Sequence, residues 1–258
     1  MLKHRVIPCL LLRGRGLVKT RKFAAPQYVG DPINAIRIFN EKEADELMVL
    51  DISASVEGRG PQFDLIEQFA GECFMPLCYG GGIRTVEQAR QLFALGVEKV
   101  CLQTAVLNDV SLVTKIAEQF GEQAVLASVD VKRKLFGRMQ LYAAASRKIL
   151  PGPWLDHVRR LVAAGAGEIL LNAVDRDGTM EGPDLELIRE ASHAIAVPLV
   201  AVGGVGSLAD VRAAVDAGAS AVAAGAFFVL HGPHRAVLVT YPDPTELQQI
   251  FATQEGRQ

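Results

Sequence analysis

The feature that most constrains the fold of this chain is a regular alternation of short apolar runs with longer amphipathic stretches. The apolar runs have the length and the β-branched content of buried strands. Eight such runs are predicted as strands: Arg5–Leu11, Glu46–Asp51, Pro76–Tyr79, Lys99–Leu102, Ala124–Asp130, Glu168–Leu171, Pro198–Val202 and Ala221–Ala224. Helix start signals lie between them, at Asp31-Pro32, Thr85, Ser111 and Ser207.

Eight strand-then-helix units in 258 residues predict one (β/α)8 barrel domain over residues 1–258. The competing fold is a doubly wound open sheet, and the GxGxxG turn expected after its first strand is absent. An internal repeat favours the barrel, because "GGIRTVEQARQLFALGVEKV" from Gly81 aligns with "GGVGSLADVRAAVDAGASAV" from Gly203 at an offset of 122. We therefore expect two half-barrels of four units, with Asp51 corresponding to Asp175 and Leu11 corresponding to Asp130.

Composition limits the partners and the environment of the chain. A net charge of −2 gives no strong case for nucleic acid or for an anionic membrane surface. Cys9, Cys73, Cys78 and Cys101 lie in apolar stretches without CxxC spacing, which predicts reduced core thiols in a cytoplasmic protein. No apolar run approaches the length of a membrane span, and we expect neither a metal nor a cofactor.

Glycine pairs follow two strands that the repeat relates to each other. Gly80–Gly82 follow the third strand and Gly203–Gly204 the seventh, while Thr104 and Gly225-Ala226 follow the next strand in each half. Backbone N–H groups freed by such glycines can hold an anion, so two cradles suit a small molecule with a phosphate at each end. The same glycines are also compatible with tight turns alone.

Carboxylates at the ends of the fifth and sixth strands are the candidate acid–base groups. Asp130 follows an apolar strand, where partial burial would tune its pKa for proton transfer. Asp175, Asp177 and Gly178 lie in the next loop, where acidic residues also cap helices. We expect Lys19 to contact an anion from a mobile loop, His4, His157 and His193 to lie on the surface, and His231 and His234 to lie near the mouth.

Charged residues open four of the predicted strands. Arg5, Glu46, Lys99 and Glu168 would therefore meet at the floor of the barrel, two positive and two negative. Taken alone, this pattern favours a structural plug of ion pairs that closes the core.

The motifs "RVIPCL", "LVKT", "VGDP", "DELMVLDISASV", "GGGIRT", "FGEQAV", "SVDVKR", "GAGEILLNAVDRDGT" and "AVGGVGS" resemble, in order and spacing over Met1 to Phe228, the cyclase subunit of imidazole glycerol phosphate synthase. The resemblance implies a barrel bound at its N-terminal face to a glutaminase as a heterodimer, whose ammonia passes the floor and meets a two-phosphate substrate at the mouth. It implies an ammonia gate at Arg5, Glu46, Lys99 and Glu168, which replaces the plug interpretation. It also implies a catalytic role for Asp130 and phosphate or mouth contacts at Lys19, Gly82, Thr104, Asp177, Gly178, Gly204 and Gly225, to which we add Asp51 and Asp175.

The chain departs from this family pattern at several positions. Leu11 stands where the second catalytic carboxylate belongs, and Gln103, Val202 and Ala226 replace polar residues of the mouth. The segment "HGPHRAVLVTYPD" after Phe228 departs as well. These features resemble cyclase paralogues from surface-polysaccharide gene clusters, which act with a glutaminase paralogue and an N-acetyl-sugar amidotransferase to form acetamidino sugars.

Three functions remain open at this point. The first is an ammonia-conducting subunit for nucleotide-sugar amidation in lipopolysaccharide synthesis, with its own lyase activity weak or lost. The second is a genuine cyclase of histidine biosynthesis. The third is a scaffold that activates a glutaminase without conducting ammonia.

Overall fold

Eight parallel strands close into a barrel in the computed structural model, which describes residues 4–134, 137–232 and 234–252. Each strand pairs with its two neighbours, and β8 closes the circle on β1 through the register Arg5↔Ala221. The barrel strands are β1 (Arg5–Arg13), β2 (Leu47–Asp51), β3 (Leu77–Gly80), β4 (Lys99–Leu102), β5 (Val125–Arg133), β6 (Glu168–Ala173), β7 (Leu199–Val202) and β8 (Ala221–Ala224). The (β/α)8 prediction is confirmed.

Helices follow the strands and cover the outside of the barrel. They are α1 (Pro32–Glu41), α2 (Phe63–Glu72), α3 (Val86–Ala94), α4 (Ser111–Phe120), α5 (Trp154–Ala163), α6 (Leu185–Ala194), α7 (Leu208–Asp216), α8 (Ala226–Val229) and α9 (Pro244–Ala252), with 3-10 turns at Thr104–Val106 and Glu122–Ala124. The side chains of Asp31, Thr85 and Ser207 cap α1, α3 and α7 as predicted. Ser111 does not cap α4, because it is the first helical residue and donates its own N–H to Asp109.

Three antiparallel hairpins of the described residues lie outside the barrel circle. The first hairpin (Gly16–Arg21 with Ala24–Gly30) pairs with the end of β1, and the second (Met139–Ala143 with Lys148–Ile149) pairs with the end of β5. The C-terminal hairpin joins Leu230–His231 to Ala236–Val237. Lys19 therefore lies in a paired strand of the first hairpin and not in the expected mobile loop.

The apolar interior of the barrel is distinct from the larger core between strands and helices. Ten buried side chains fill it: Ile7, Cys9, Met48, Cys78, Cys101, Leu126, Leu170, Val200, Ala221 and Ala223. The three interior cysteines are free thiols, and burial holds the pKa of each thiol above its usual range. Cys73 is also a free thiol but is only half-buried, at the end of α2.

His157 was predicted to lie on the surface, but the structure buries it. It is 2% exposed on α5, and its Nδ1 lies 3.2 Å from Nη2 of Arg160. Burial, followed by the charge of Arg160, lowers the pKa of His157 to about 4. His4 is half-buried, whereas His193 on α6 is exposed, as predicted. No helix among the described residues has the length and apolar character needed to cross a membrane.

Candidate functional site at the barrel mouth

A cavity of about 400 Å³ opens at the carboxyl ends of the barrel strands. Nine of the predicted site residues line it: Lys19, Asp51, Gly82, Thr104, Asp130, Asp177, Gly178, Gly204 and Gly225. Asp175 is not part of this lining; its carboxylate accepts a 2.6 Å hydrogen bond from the backbone N–H of Arg133 and so ties the loop after β6 to the end of β5. Within the described ranges, no cluster of three or more His, Cys, Asp or Glu residues is placed to hold a metal ion.

Asp130, like Asp51 and Asp177, is a buried carboxyl group of the cavity. It is 4% exposed, and no hydrogen bond or ion pair reaches its carboxyl group from the described part of the chain. Burial, and then the negative charge of Asp177, raise the pKa of Asp130 to about 7. A carboxyl group in this state can hold or release a proton close to neutral pH.

The strand register identifies the position that corresponds to Asp130 in the other half of the barrel. Leu11 pairs with Leu50 across β1 and β2, and Asp130 pairs with Asn172 across β5 and β6. Leu50 and Asn172 are separated by the same 122 positions as Gly81 and Gly203, so Leu11 corresponds to Asp130. All four side chains line the cavity, so at these corresponding positions one half contributes two apolar side chains and the other half two polar ones.

The same register corrects the predicted partner of Asp51. Asp51 follows Leu50 directly, as Ala173 follows Asn172, so Ala173 and not Asp175 occupies the corresponding position. The Asp51 carboxylate accepts hydrogen bonds from the backbone of Ser53 and Ala54 at 3.0 Å, and its Oδ2 lies 2.8 Å from Nη1 of Arg59. These bonds fold the loop after β2 against the cavity wall.

Asp177 joins the loop after β6 to the first hairpin. Its Oδ1 lies 2.7 Å from Nζ of Lys19, and its Oδ2 accepts a 2.7 Å hydrogen bond from the Thr20 hydroxyl. Lys19 is only 8% exposed. The lysine that was expected to contact an anion is thus held in a buried ion pair at the cavity edge.

The two glycine cradles adopt matching backbone conformations. The φ angles are +120° and +75° at Gly81 and Gly82, and +106° and +95° at Gly203 and Gly204. A Cβ atom on Gly204 would lie 2.2 Å from the Gly182 carbonyl oxygen, so this turn requires glycine. The first cradle also carries the exposed hydroxyl of Thr104, whereas the corresponding strand end in the second half continues into Gly225-Ala226.

Four charged side chains form a closed ring at the opposite end of the barrel. Arg5 pairs with Glu46 and, at 2.6 Å, with Glu168, while Nζ of Lys99 lies 3.1 Å from a carboxylate oxygen of each glutamate. The Glu46 side chain is 3% exposed and the Arg5 side chain is 25% exposed, so the ring extends from the buried core to the solvent-exposed surface. The predicted meeting of these residues is observed.

Sequence reasoning missed several residues of the cavity wall. Asn172 stands beside Asp130 in the register, and the 122-residue repeat applied to Leu50 would have located it. Arg13 and Arg147 lie on the rim, and their only signal was the local basic sequence. His231 and His234 are exposed in the C-terminal hairpin region and do not line the cavity.

Comparison with known proteins agrees with this geometry. The family model described as "Histidine biosynthesis protein" matches residues 5–233. The chain is 51% identical over 252 residues, 96% of its length and 99% of the relative, to a Pseudomonas aeruginosa protein named "Putative imidazole glycerol phosphate synthase subunit hisF2". A Vibrio vulnificus protein named "Putative imidazole glycerol phosphate synthase subunit hisF3" is 47% identical over 97% of both chains.

A relative named without that qualifier is more distant. The "Imidazole glycerol phosphate synthase subunit HisF" of Alkaliphilus metalliredigens is 41% identical over 229 residues, which cover 88% of this chain and 91% of the relative. The resemblance to the cyclase subunit of imidazole glycerol phosphate synthase is confirmed, and the chain belongs to the histidine biosynthesis protein family.

Proposed function

We propose that this chain is the ammonia-conducting, synthase-side subunit of a glutamine amidotransferase system, and that it delivers ammonia for nucleotide-sugar amidation in surface polysaccharide synthesis. One observation carries the proposal. An intact ring of ion pairs closes the floor, while the mouth has Leu11 at the position that corresponds to Asp130. The ring supports a passage for a small molecule through the floor. The mouth does not support an acid–base pair, because Leu11 cannot act as the second member.

The floor supports entry of a small molecule from a partner that binds there. Each glutamate of the ring contacts both Arg5 and Lys99, so the ring can open on one side while the other side stays paired. Phe74, in the segment that leads into β3, is 88% exposed, and its N–H is held by the side chain of Asn40 at 3.0 Å. An exposed aromatic side chain on the N-terminal face of the barrel, where the strands begin, suits docking of a glutaminase subunit.

The interior above the ring favours ammonia over ammonium. The interior contains aliphatic side chains, one thioether and neutral thiols. An ammonium ion there would lose its water shell, and no polar group would replace it. Cys78 pairs in register with Lys99, and Cys101 and Cys9 line the bottom of the mouth cavity. These contacts support a route from the ring to the cavity.

The mouth supports delivery more than cyclisation. Asp130 can exchange a proton near neutral pH, but Leu11 cannot donate or accept one. A general acid or base contributes about 10² to 10⁴ in rate, so a barrel with one of the pair should be a poor cyclase. Ammonia that reaches the cavity is then available to an acceptor enzyme that forms an amidino group on an N-acetyl sugar.

An isotope experiment tests conduction. The barrel, its glutaminase and the acceptor enzyme are supplied with amide-15N glutamine in excess unlabelled ammonium, and 15N in the sugar product is measured. Retained label is expected for the wild type, because ammonia inside the barrel does not mix with solvent. Cys78→Phe should dilute the label while glutamine hydrolysis continues, and Cys78→Ala is the matched control. Label that is already diluted in the wild type would support a scaffold instead, and label that is retained in Cys78→Phe would exclude conduction past Cys78.

A second candidate, a genuine cyclase of histidine biosynthesis, is favoured by one set of observations. Asp130, Lys19 and both glycine cradles line a single cavity. Growth of a histidine-requiring strain that lacks its cyclase distinguishes the candidates. We expect no rescue by the wild type, partial rescue by Leu11→Asp, and none by Leu50→Asp, which moves the acid to the neighbouring strand. Efficient rescue by the wild type would establish the cyclase.

A further inference from the structure

The C-terminal hairpin reaches back to the loop that carries Asp177. Nη1 of Arg235 donates a 3.0 Å hydrogen bond to the Gly178 carbonyl, and Nη2 donates a 2.7 Å bond to the Thr179 carbonyl. Arg235 itself does not line the cavity. A guanidinium group binds two acceptors in fixed geometry, which a lysine ammonium cannot reproduce.

The loop held by Arg235 in turn holds the first hairpin. The backbone N–H of Lys22 donates to the Asp177 carbonyl at 2.9 Å, and that of Phe23 donates to the Asp177 carboxylate at 3.4 Å. Lys19 and Thr20 bind the same carboxylate. Four consecutive or nearly consecutive residues of the first hairpin thus depend on the position of Asp177.

The loop after β6 packs against the first hairpin too closely to accept a side chain at Gly178. Gly178 has φ +66°, and a Cβ atom there would lie 2.1 Å from the Thr20 carbonyl oxygen. Arg235 also has a positive φ, +51°, which is unfavourable for a residue with a side chain. The guanidinium group thus donates to two successive carbonyl groups from a strained backbone, which indicates that the contact has a role in the fold.

We propose that Arg235 is a positioning residue that clamps the loop after β6 and, through Asp177, fixes the first hairpin and Lys19 at the barrel mouth. The C-terminal hairpin therefore determines how Lys19 and Asp177 face the cavity. This role goes beyond the proposed function and does not depend on it, because the clamp is a property of the isolated chain.

Amide hydrogen exchange tests the clamp. Arg235→Met should accelerate exchange at the Lys22 and Phe23 amides by about tenfold, since the loss of both guanidinium hydrogen bonds lets the loop after β6 open more often. Arg235→Lys should give an intermediate rate. The control is Arg189→Met on the exposed face of α6, which should leave both amides unchanged.

Two further readouts separate the clamp from a general loss of structure. The amides of Leu238 and Thr240, which donate to Val229 and Phe228, report the C-terminal segment itself. The 15N signal of the Lys19 ammonium, slowed in exchange by its buried pair with Asp177, should broaden or vanish in Arg235→Met. Unchanged Lys22, Phe23 and Lys19 signals in Arg235→Met would overturn the proposal. The proposal would also be overturned if the Lys22 and Phe23 amides stayed protected in a variant whose C-terminal segment exchanges freely.

Discussion

Removal of Lys99 from the floor ring is expected to destabilise the chain in a way that a second substitution partly repairs. In Lys99→Met, Glu46 keeps Arg5 but loses a cation 3.1 Å away, in a site where its side chain is 3% exposed. Removing one partner of a fully buried pair costs about 3–5 kcal/mol, and the 17% exposure of Lys99 reduces this to about 2–3 kcal/mol. Glu46→Gln in the Lys99→Met background removes the unpaired charge and should recover about 1–2 kcal/mol.

Urea denaturation of the four chains in this cycle measures the coupling. Unfolding is followed by far-UV circular dichroism and by fluorescence of Trp154, the one tryptophan of the chain, which is 4% exposed. Arg159→Met is the control, because its ion pair with Asp156 is more than half exposed and should contribute less than about 0.5 kcal/mol. A cost below about 0.5 kcal/mol for Lys99→Met, with additive effects in the cycle, would refute the description of the ring as one coupled network.

Three further predictions concern pH and backbone conformation. Because the folded pKa of Asp130, about 7, lies above its unfolded value of about 3.9, the free energy of unfolding should fall as pH rises from about 4 to 7; Asp130→Asn should remove about 3 kcal/mol of that fall, and an unchanged pH profile would contradict it. For His157 the folded pKa, about 4, lies below about 6.5, so stability should fall as pH drops through this range, and His157→Leu should flatten the profile by about 2 kcal/mol in urea titrations. Gly204→Ala should cost more than about 2 kcal/mol, against about 1 kcal/mol for Gly232→Ala, whose added Cβ meets open space; equal costs measured by thermal unfolding would argue against the tight turn.

The barrel and its pseudo-symmetry could be predicted because they depend on local periodicity. Each strand run is followed by a helix with its own start signal, and the glycine pairs at Gly81 and Gly203 mark the same turn in both halves. The floor ring was predictable for the same reason, since the first residue of a barrel strand has only one place to lie. The bounds of six strands differed from the prediction by one to three residues, most at the end of β5, where pairing with the second hairpin extends the strand to Arg133.

The parts that sequence reasoning placed wrongly depend on contacts between distant segments. Lys19 lies in a strand because the first hairpin pairs with the end of β1 and binds Asp177, far along the chain. His157 is buried because the apolar face of α5 includes it, although a histidine in a charged helix suggests solvent. Asp175 and Asp177 are two residues apart, and only the fold determines which one faces the cavity.

The register that relates Leu11 to Asp130 also shows that the two halves of this barrel are no longer interchangeable. At the positions that correspond to Arg5 and Lys99, the second half has Ala124 and Ala221, so both cations of the floor come from the first half. A barrel made from two second halves would carry an acid on both sides of its mouth and two uncompensated glutamates below. One made from two first halves would have excess positive charge at the floor and leucine in place of Asp130 at the mouth. Gene duplication could have produced this backbone, but a fusion of identical halves could not replace the present chain.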